Sequence, residues 1–299
     1  MTTTTQKSAP GGSALSRGTR SIDLISYALL GVGSLVMLTP FLWMVSTALK
    51  TPEQVLHWPP VLVPSPPQWS NFVEFWNAPP VAGGFFRFTL NTLFVAIVCV
   101  VGETLSATFV AYGFARYRFP GRDVLFMILL ATMMLPGVVT LVPTFLMFKQ
   151  LGWVDTYLPL TVGAFFPGSP FYIFLARQFF LTIPAELEEA ARLDGCNGIQ
   201  IFWYVFLPLS RPLMVTIAVF SFTAHWKDFL GPLLYLNSPE KFTLTLGLTW
   251  FKQSIVGQGA TSYHLLMAAT LVVIVPILLL FFVAQRAFTE GITMTGLKD

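Results

Sequence analysis

The chain has 299 residues, 55% of them hydrophobic and only 10% charged, with a mean hydropathy of +0.70. Ordinary soluble domains carry roughly 25% charged residues, so this composition excludes a soluble enzyme and points to a polytopic membrane protein. The net charge of +3 is too small to mark a nucleic-acid binder, and two cysteines, Cys99 in an apolar stretch and Cys196 in a polar one, give no disulfide framework.

Residues 1–21 are rich in Thr, Ser and Gly and read as a disordered tail. Six apolar stretches follow, near 24–47, 88–114, 124–147, 157–177, 212–235 and 264–286. Each is long enough for a bilayer crossing, which needs roughly 20 residues. The first exceeds a signal-peptide core and no Ala-x-Ala cleavage pattern follows it, so a retained anchor is expected.

An outer segment, roughly 48–87, is too rich in proline for a long helix, from Pro52 to Pro79 and Pro80. Trp58, Trp69, Phe72, Phe75 and Trp76 interleave with the prolines. They read either as an aromatic belt at the membrane interface or as a docking surface for an extracytoplasmic partner. Pro136, Pro143, Pro167 and Pro170 are expected to break their spans locally.

Charges inside the spans are few. Glu103 lies in the second, where a structural pair with a neighbouring span or a partner is preferred to substrate contact. Lys227 and Asp228 lie in the outer half of the fifth, beside His225 and Trp226. These four are candidates for a translocation path, with Trp226 stacking on a sugar ring and Asp228 accepting hydroxyl hydrogen bonds. The alternative is that Lys227 and His225 snorkel to the interface while Asp228 pairs structurally.

Between spans four and five, about 179–211, the chain turns polar: Glu189-Ala-Ala-Arg-Leu-Asp194-Gly195-Cys196, then Val205 and Leu207-Pro208. Pro184 suits a first helical turn, and Glu186, Glu188 and Glu189 suit the positive end of a helix dipole. Gly195 can turn left-handed and close the helix, and a second helix carries Ile201, Phe202, Val205 and Phe206 until Pro208. A DNA-binding helix pair is excluded by its balance of acids over bases.

With the N-terminus inside, eleven Lys and Arg fall in cytoplasmic segments and five in outer ones. That asymmetry puts both termini and the Glu189 segment in the cytoplasm. No phosphate-cradling Gly-x-x-x-x-Gly-Lys, no His-Glu-x-x-His and no Gly-x-Ser-x-Gly occurs. The chain is therefore expected to perform no covalent chemistry and to bind no cofactor or metal.

The polar segment resembles the Glu-Ala-Ala loop of bacterial ATP-binding-cassette importer permeases. Glu189, Ala190, Ala191, Gly195, Leu207 and Pro208 hold that pattern's spacing, with Val205 in place of its Ile. The motifs Asn91-Thr92-Leu93, Tyr112-Gly-Phe-Ala-Arg116, Arg177-Gln-Phe-Phe180 and Asp228-Phe-Leu-Gly-Pro-Leu233 are similar to the maltose-transporter type of sugar importer permease, with Lys227 a departure from it.

The resemblance implies an all-α protein of six transmembrane helices in the type I (MetI-like) importer permease fold, in the bacterial inner membrane. Its parts would be the tail 1–21, a first span with outer loop over 22–87, a permease core over 88–290 and a cytoplasmic tail over 291–299. It also implies a second, different permease subunit, a cytoplasmic ATPase dimer that carries ATP and Mg, and an extracytoplasmic sugar-binding protein. Carried over, Glu189 pairs with a basic residue of the ATPase, Ala190 and Ala191 allow close approach, and Asp194 and Gly195 form the turn. An ion-coupled carrier using Glu103 and Asp228 is the alternative; it would usually show internal repeats, and none is evident.

Overall fold

A computed structural model of the chain describes residues 14–79, 81–166, 169–257 and 262–296, among which every regular element is helical. In chain order these are α1 (Ala14–Ala48), α2 (Pro52–Leu56), α3 (Asn71–Glu74), α4 (Gly84–Arg116), α5 (Arg122–Ala131), α6 (Gly137–Gln150), α7 (Leu158–Thr161) and α8 (Pro170–Thr182). The second half continues with α9 (Ala185–Leu193), α10 (Gly198–Ile201), α11 (Leu207–Leu209), α12 (Arg211–Trp226), α13 (Leu230–Tyr235), α14 (Leu244–Gly257) and α15 (Tyr263–Gly296).

Four stretches are long and apolar enough to cross a membrane unaided: Ile25–Ala48, Gly84–Arg116, Leu158–Thr182 and Tyr263–Phe282. Two bent pairs bring the number up to six if each counts as one broken span, Arg122–Met134 with α6 at 97° and the Gly198–Leu209 segment with α12 at 78°. The third span, expected over 124–147, thus breaks at Pro136 as its proline suggested, whereas α6 runs on through Pro143. Pro136 lacks an N–H and pushes its predecessor out of the helical region, and Leu135 accordingly sits extended at φ −78°, ψ 117°.

The fifth span is corrected as well. Helix α12 has 16 residues, about 24 Å at 1.5 Å each, and stops at Trp226. The ring of Pro232 disfavours a helical carbonyl four residues back, that of Asp228, and the break falls just there, at Lys227–Phe229. The chain resumes only at Leu230.

At the N-terminus, α1 already begins at Ala14, inside the stretch expected to be a tail; Leu15, Arg17 and Arg20 favour helix. Residues 1–13 lie outside the described part.

Helix α4 is the hub. Ala96, Cys99, Ala107 and Ala111 are all at most 2% exposed, and such small residues let neighbouring helices approach closely. A Cβ on Gly102 would meet Ala164 at 3.0 Å, so only hydrogen fits where the 162–165 turn crosses.

Two cores hang on α4. The outer one gathers Phe75, Phe85, Phe88, Trp226, Phe242 and Phe251. The inner one gathers Tyr112, Ile173, Phe180, Phe202, Phe206 and Ile217.

The motifs around α4 turn out to be staples. Asn91 donates to the carbonyls of Glu240 and Phe242, both at 2.9 Å, while the Thr92 hydroxyl accepts from the Leu244 N–H at 2.7 Å. The outer loop divides: Phe75 is buried, whereas Trp58 and Trp69 are largely exposed. Asn71 pins that loop to the end of α1 through the carbonyls of Ala48 and Lys50.

Candidate functional site

The polar segment folds as two short helices around a left-handed turn. Pro184 stands just before the first helical residue rather than within the first turn. Gly195 has φ +85°; its N–H reaches the Arg192 carbonyl and the Cys196 N–H reaches the Ala191 carbonyl, each at 3.0 Å. Those paired bonds make a Schellman closure, which satisfies carbonyls a helix end leaves open.

Asn197 then starts α10 with a reciprocal cap. Its side chain accepts from the Gln200 N–H at 2.9 Å, and Gln200 accepts in return from the Asn197 N–H at 2.8 Å. Where a plain α-helix was expected, Phe202–Phe206 make a π turn. This widened turn lets Phe202 and Phe206, both at most 1% exposed, enter the inner core together.

The two faces of this helix pair differ sharply. Glu188 is buried, and its Oε1 accepts from Arg192 Nη2 at 2.7 Å. Its Oε2 lies 3.9 Å from Arg116 Nε. Glu189, one residue on, is exposed and has no partner among the described residues.

Ala190 and Asp194 share the exposed side, whereas Ala191 is buried against the inner core. Leu193 at the turn is 89% exposed, an apolar tip left uncovered by the described residues. Val205 and Leu207 are half-buried and Pro208 is exposed.

Arg116 anchors the pair from beneath. Its Nη2 donates to the carbonyl of Phe180 at 2.8 Å and to that of Ile183, both at the end of α8. The guanidinium lies over the Phe206 ring, 4.7 Å from its centroid. Glu188 and Arg116 were not singled out as site residues from sequence, although the four-residue spacing of Glu188 and Arg192 was a readable signal.

The candidate path residues do not form one surface. Trp226 is 2% exposed, and its indole N–H donates to the Val273 carbonyl at 3.0 Å. Stacking on a sugar is corrected accordingly: the ring lies in the outer core, stacked on Phe222. Asp228 accepts from the Gly231 N–H at 3.2 Å, holding the break between α12 and α13.

His225 Nε2 lies 3.3 Å from Glu103 Oε1, so Glu103 has the neighbouring-span partner expected of it. Lys227 is exposed at the break. Among the described residues no group of three or more His, Cys, Asp or Glu could hold a metal ion.

The description "binding-protein-dependent transport system inner membrane component" matches residues 103–293. The chain is 33% identical over 279 residues to the sn-glycerol-3-phosphate transport system permease protein UgpE of Pectobacterium atrosepticum, covering 91% of this chain and 96% of that one. It is 32% identical over 262 residues to the probable ABC transporter permease protein YurM of Bacillus subtilis, covering 87% and 83%.

The arabinooligosaccharides transport system permease protein AraQ of Halalkalibacterium halodurans is 34% identical over 235 residues, covering 79% and 81%. Among solved structures, a chain from a bacterial ABC transporter involved in the import of the acidic polysaccharide alginate superposes with a TM-score of 0.79 at 26% identity, covering 93% and 99%.

Proposed function

Since the chain belongs to the family of binding-protein-dependent transport system inner membrane components, we propose that its Glu189 face receives the stroke of an ATPase. The chain is a permease subunit of an ATP-driven sugar importer and is not itself a catalyst. It works with ATPase and binding-protein partners. ATP and Mg bind the ATPase dimer, and both termini lie on that cytoplasmic side.

One observation carries the assignment of the coupling surface. Glu189 is exposed and unpaired on a helix whose opposite side is buried and closed by Gly195. A carboxylate so placed suits a basic groove, and Ala190 and Leu193 beside it supply apolar contact.

The second permease is a different chain, and the apolar faces of α1 and α6, where Met37 and Val138 are 80% and 76% exposed, lie against it or against lipid. The solute is a sugar or a related polyol derivative: AraQ is named for arabinooligosaccharides, the solved transporter for the polysaccharide alginate and UgpE for sn-glycerol-3-phosphate. The ion-coupled alternative is not favoured, because the family match and the relatives are permease subunits of binding-protein-dependent and ABC transporters.

The test is to co-express the chain with the ATPase and second permease encoded beside it and measure ATP hydrolysis in liposomes, with and without Glu189→Lys. Stimulation by the loaded binding protein is expected for the natural sequence and is lost in the variant while insertion stays normal. Full stimulation in the variant would remove Glu189 from the contact. No association with any ATPase would overturn the importer role.

A further inference from the structure

The residue behind Glu189 leads past the docking surface. Arg116 ends α4 and contacts three other elements at once: the last carbonyls of α8, the Phe206 ring of the π turn, and Glu188 of α9. Both side chains of the Arg116–Glu188 pair are nearly buried, 11% and 10% exposed. Arg116 Nε is buried without a hydrogen-bond acceptor. At 3.9 Å from Glu188 Oε2 it is about 1 Å short of a charge-assisted hydrogen bond.

An unmet donor beside a carboxylate is costly in a dry site, and closing the 3.9 Å gap would satisfy it. Higher on α4, Glu103 meets His225, two residues before the break in the fifth span. The rigid helix α4 thus connects a contact with α9 at Arg116 to a contact with α12 at Glu103, beside the Lys227–Phe229 break.

We propose that the Arg116–Glu188 contact is the internal link that carries displacement of the α9 helix into α4, and through Glu103–His225 to the Lys227–Phe229 break. Glu189 receives the push; Glu188, on the far side of the same helix, passes it on. Arg192 holds the other oxygen of this carboxylate, Oε1, from an exposed position, and its pull sets how readily the Arg116 contact closes. Arg116 and Glu188 are positioning residues, acting through helices rather than on the solute. The physical requirement is a contact with two discrete arrangements that both ends bias, and the gap at Arg116 Nε supplies one.

The inference rests on the importer function above, and its test separates the two. In the assembled importer carrying Cys99→Ser and Cys196→Ser, spin labels at Leu230→Cys and Leu279→Cys report the position of α13 against α15. Both sites are exposed, at 49% and 60%. Distances are measured with and without ATP and vanadate, and ATP hydrolysis is followed in the same samples, so no solute need be identified.

The reference importer is expected to shift its distance distribution with nucleotide. With Glu188→Gln, hydrolysis persists while the shifted population falls about tenfold, a coupling loss of ordinary size. An unchanged shift in Glu188→Gln overturns the link but leaves the importer function standing. A parallel loss of assembly, hydrolysis and shift means that Glu188 is merely structural, unless Arg192→Gln says otherwise. That second variant frees Glu188 for Arg116, so assembly and a kept or enlarged shift are expected of it. A lost shift there overturns the proposal.

Discussion

Glu103 Oε1 and His225 Nε2 stand 3.3 Å apart, joining the middle of α4 to the last turn of α12. The second oxygen, Oε2, is buried without a hydrogen-bond partner. Removing either partner strands the other. Glu103→Leu or His225→Phe alone is expected to cost about 2 kcal/mol, while the double variant costs less than the two combined. Thermal unfolding of the detergent-solubilised protein measures all three, and strict additivity would show that the pair does not interact.

Two glycines separate backbone strain from steric collision. Gly195→Ala puts a Cβ into open space at φ +85° and should cost about 1 kcal/mol through conformation alone. Gly84→Ala, also left-handed at φ +50°, in addition drives its Cβ into the Trp76 carbonyl oxygen, where backbone must move, and should cost about 3 kcal/mol. Melting temperatures in the order reference, Gly195→Ala, Gly84→Ala are expected; a reversal of the last two would mean that the turn at Gly195 carries more than its own geometry.

In the turn between α6 and α7, burial pushes the Asp155 carboxyl up, but the opposing contacts prevail and hold it well below the usual carboxylate range. Those contacts are the Lys241 ammonium, the Ser238 hydroxyl and the N–H groups of Ser238 and Asn237. A lowered folded-state pKa gives stability that is complete above the unfolded value, about 3.9, and is lost as pH falls from there towards the folded one. Asp155→Asn should therefore be less stable than the natural sequence near neutrality, and the difference should shrink below about pH 4. Melting temperatures across that range test it; a constant difference would deny the linkage.

Trp226 and Lys227 are neighbours with opposite fates. Trp226→Ala removes a buried ring and should cost about 3–5 kcal/mol, whereas Lys227→Ala, at an exposed position, should change stability by about 0.5 kcal/mol or less. Thermal unfolding again decides. A Trp226→Ala protein of normal stability but altered solute uptake would return the indole to the path.

Much of this molecule is legible along one dimension. Uninterrupted apolar length marks α1, α4 and α15, because a bilayer demands that length wherever the helix packs. The turn at Gly195 is legible too: a left-handed residue placed between an acidic helix start and a second apolar period has few other readings.

The proline breaks were readable as positions but not as angles. How far a chain turns at Pro136, or where a helix restarts after Pro232, depends on what the freed backbone groups find nearby.

The two faces of α9 show the same limit. Composition favours Glu186, Glu188 and Glu189 alike at a helix start, and all three lie in one short polar run. Only the arrival of Arg116 from α4, 72 positions away in the chain, decides that Glu188 turns inward while Glu189 stays free.

By itself the sequence determined the membrane class, the spans set by apolar length, the helix pair between spans four and five, and the family likeness. Each of these is written in local composition and spacing. Tertiary structure alone decided that Trp226 is core, that Glu103 belongs to His225, and that Arg116 sits beneath α9. The reason is physical: whether a buried charge or ring is structural or functional depends on its partner, and partners distant in the chain meet only when it folds.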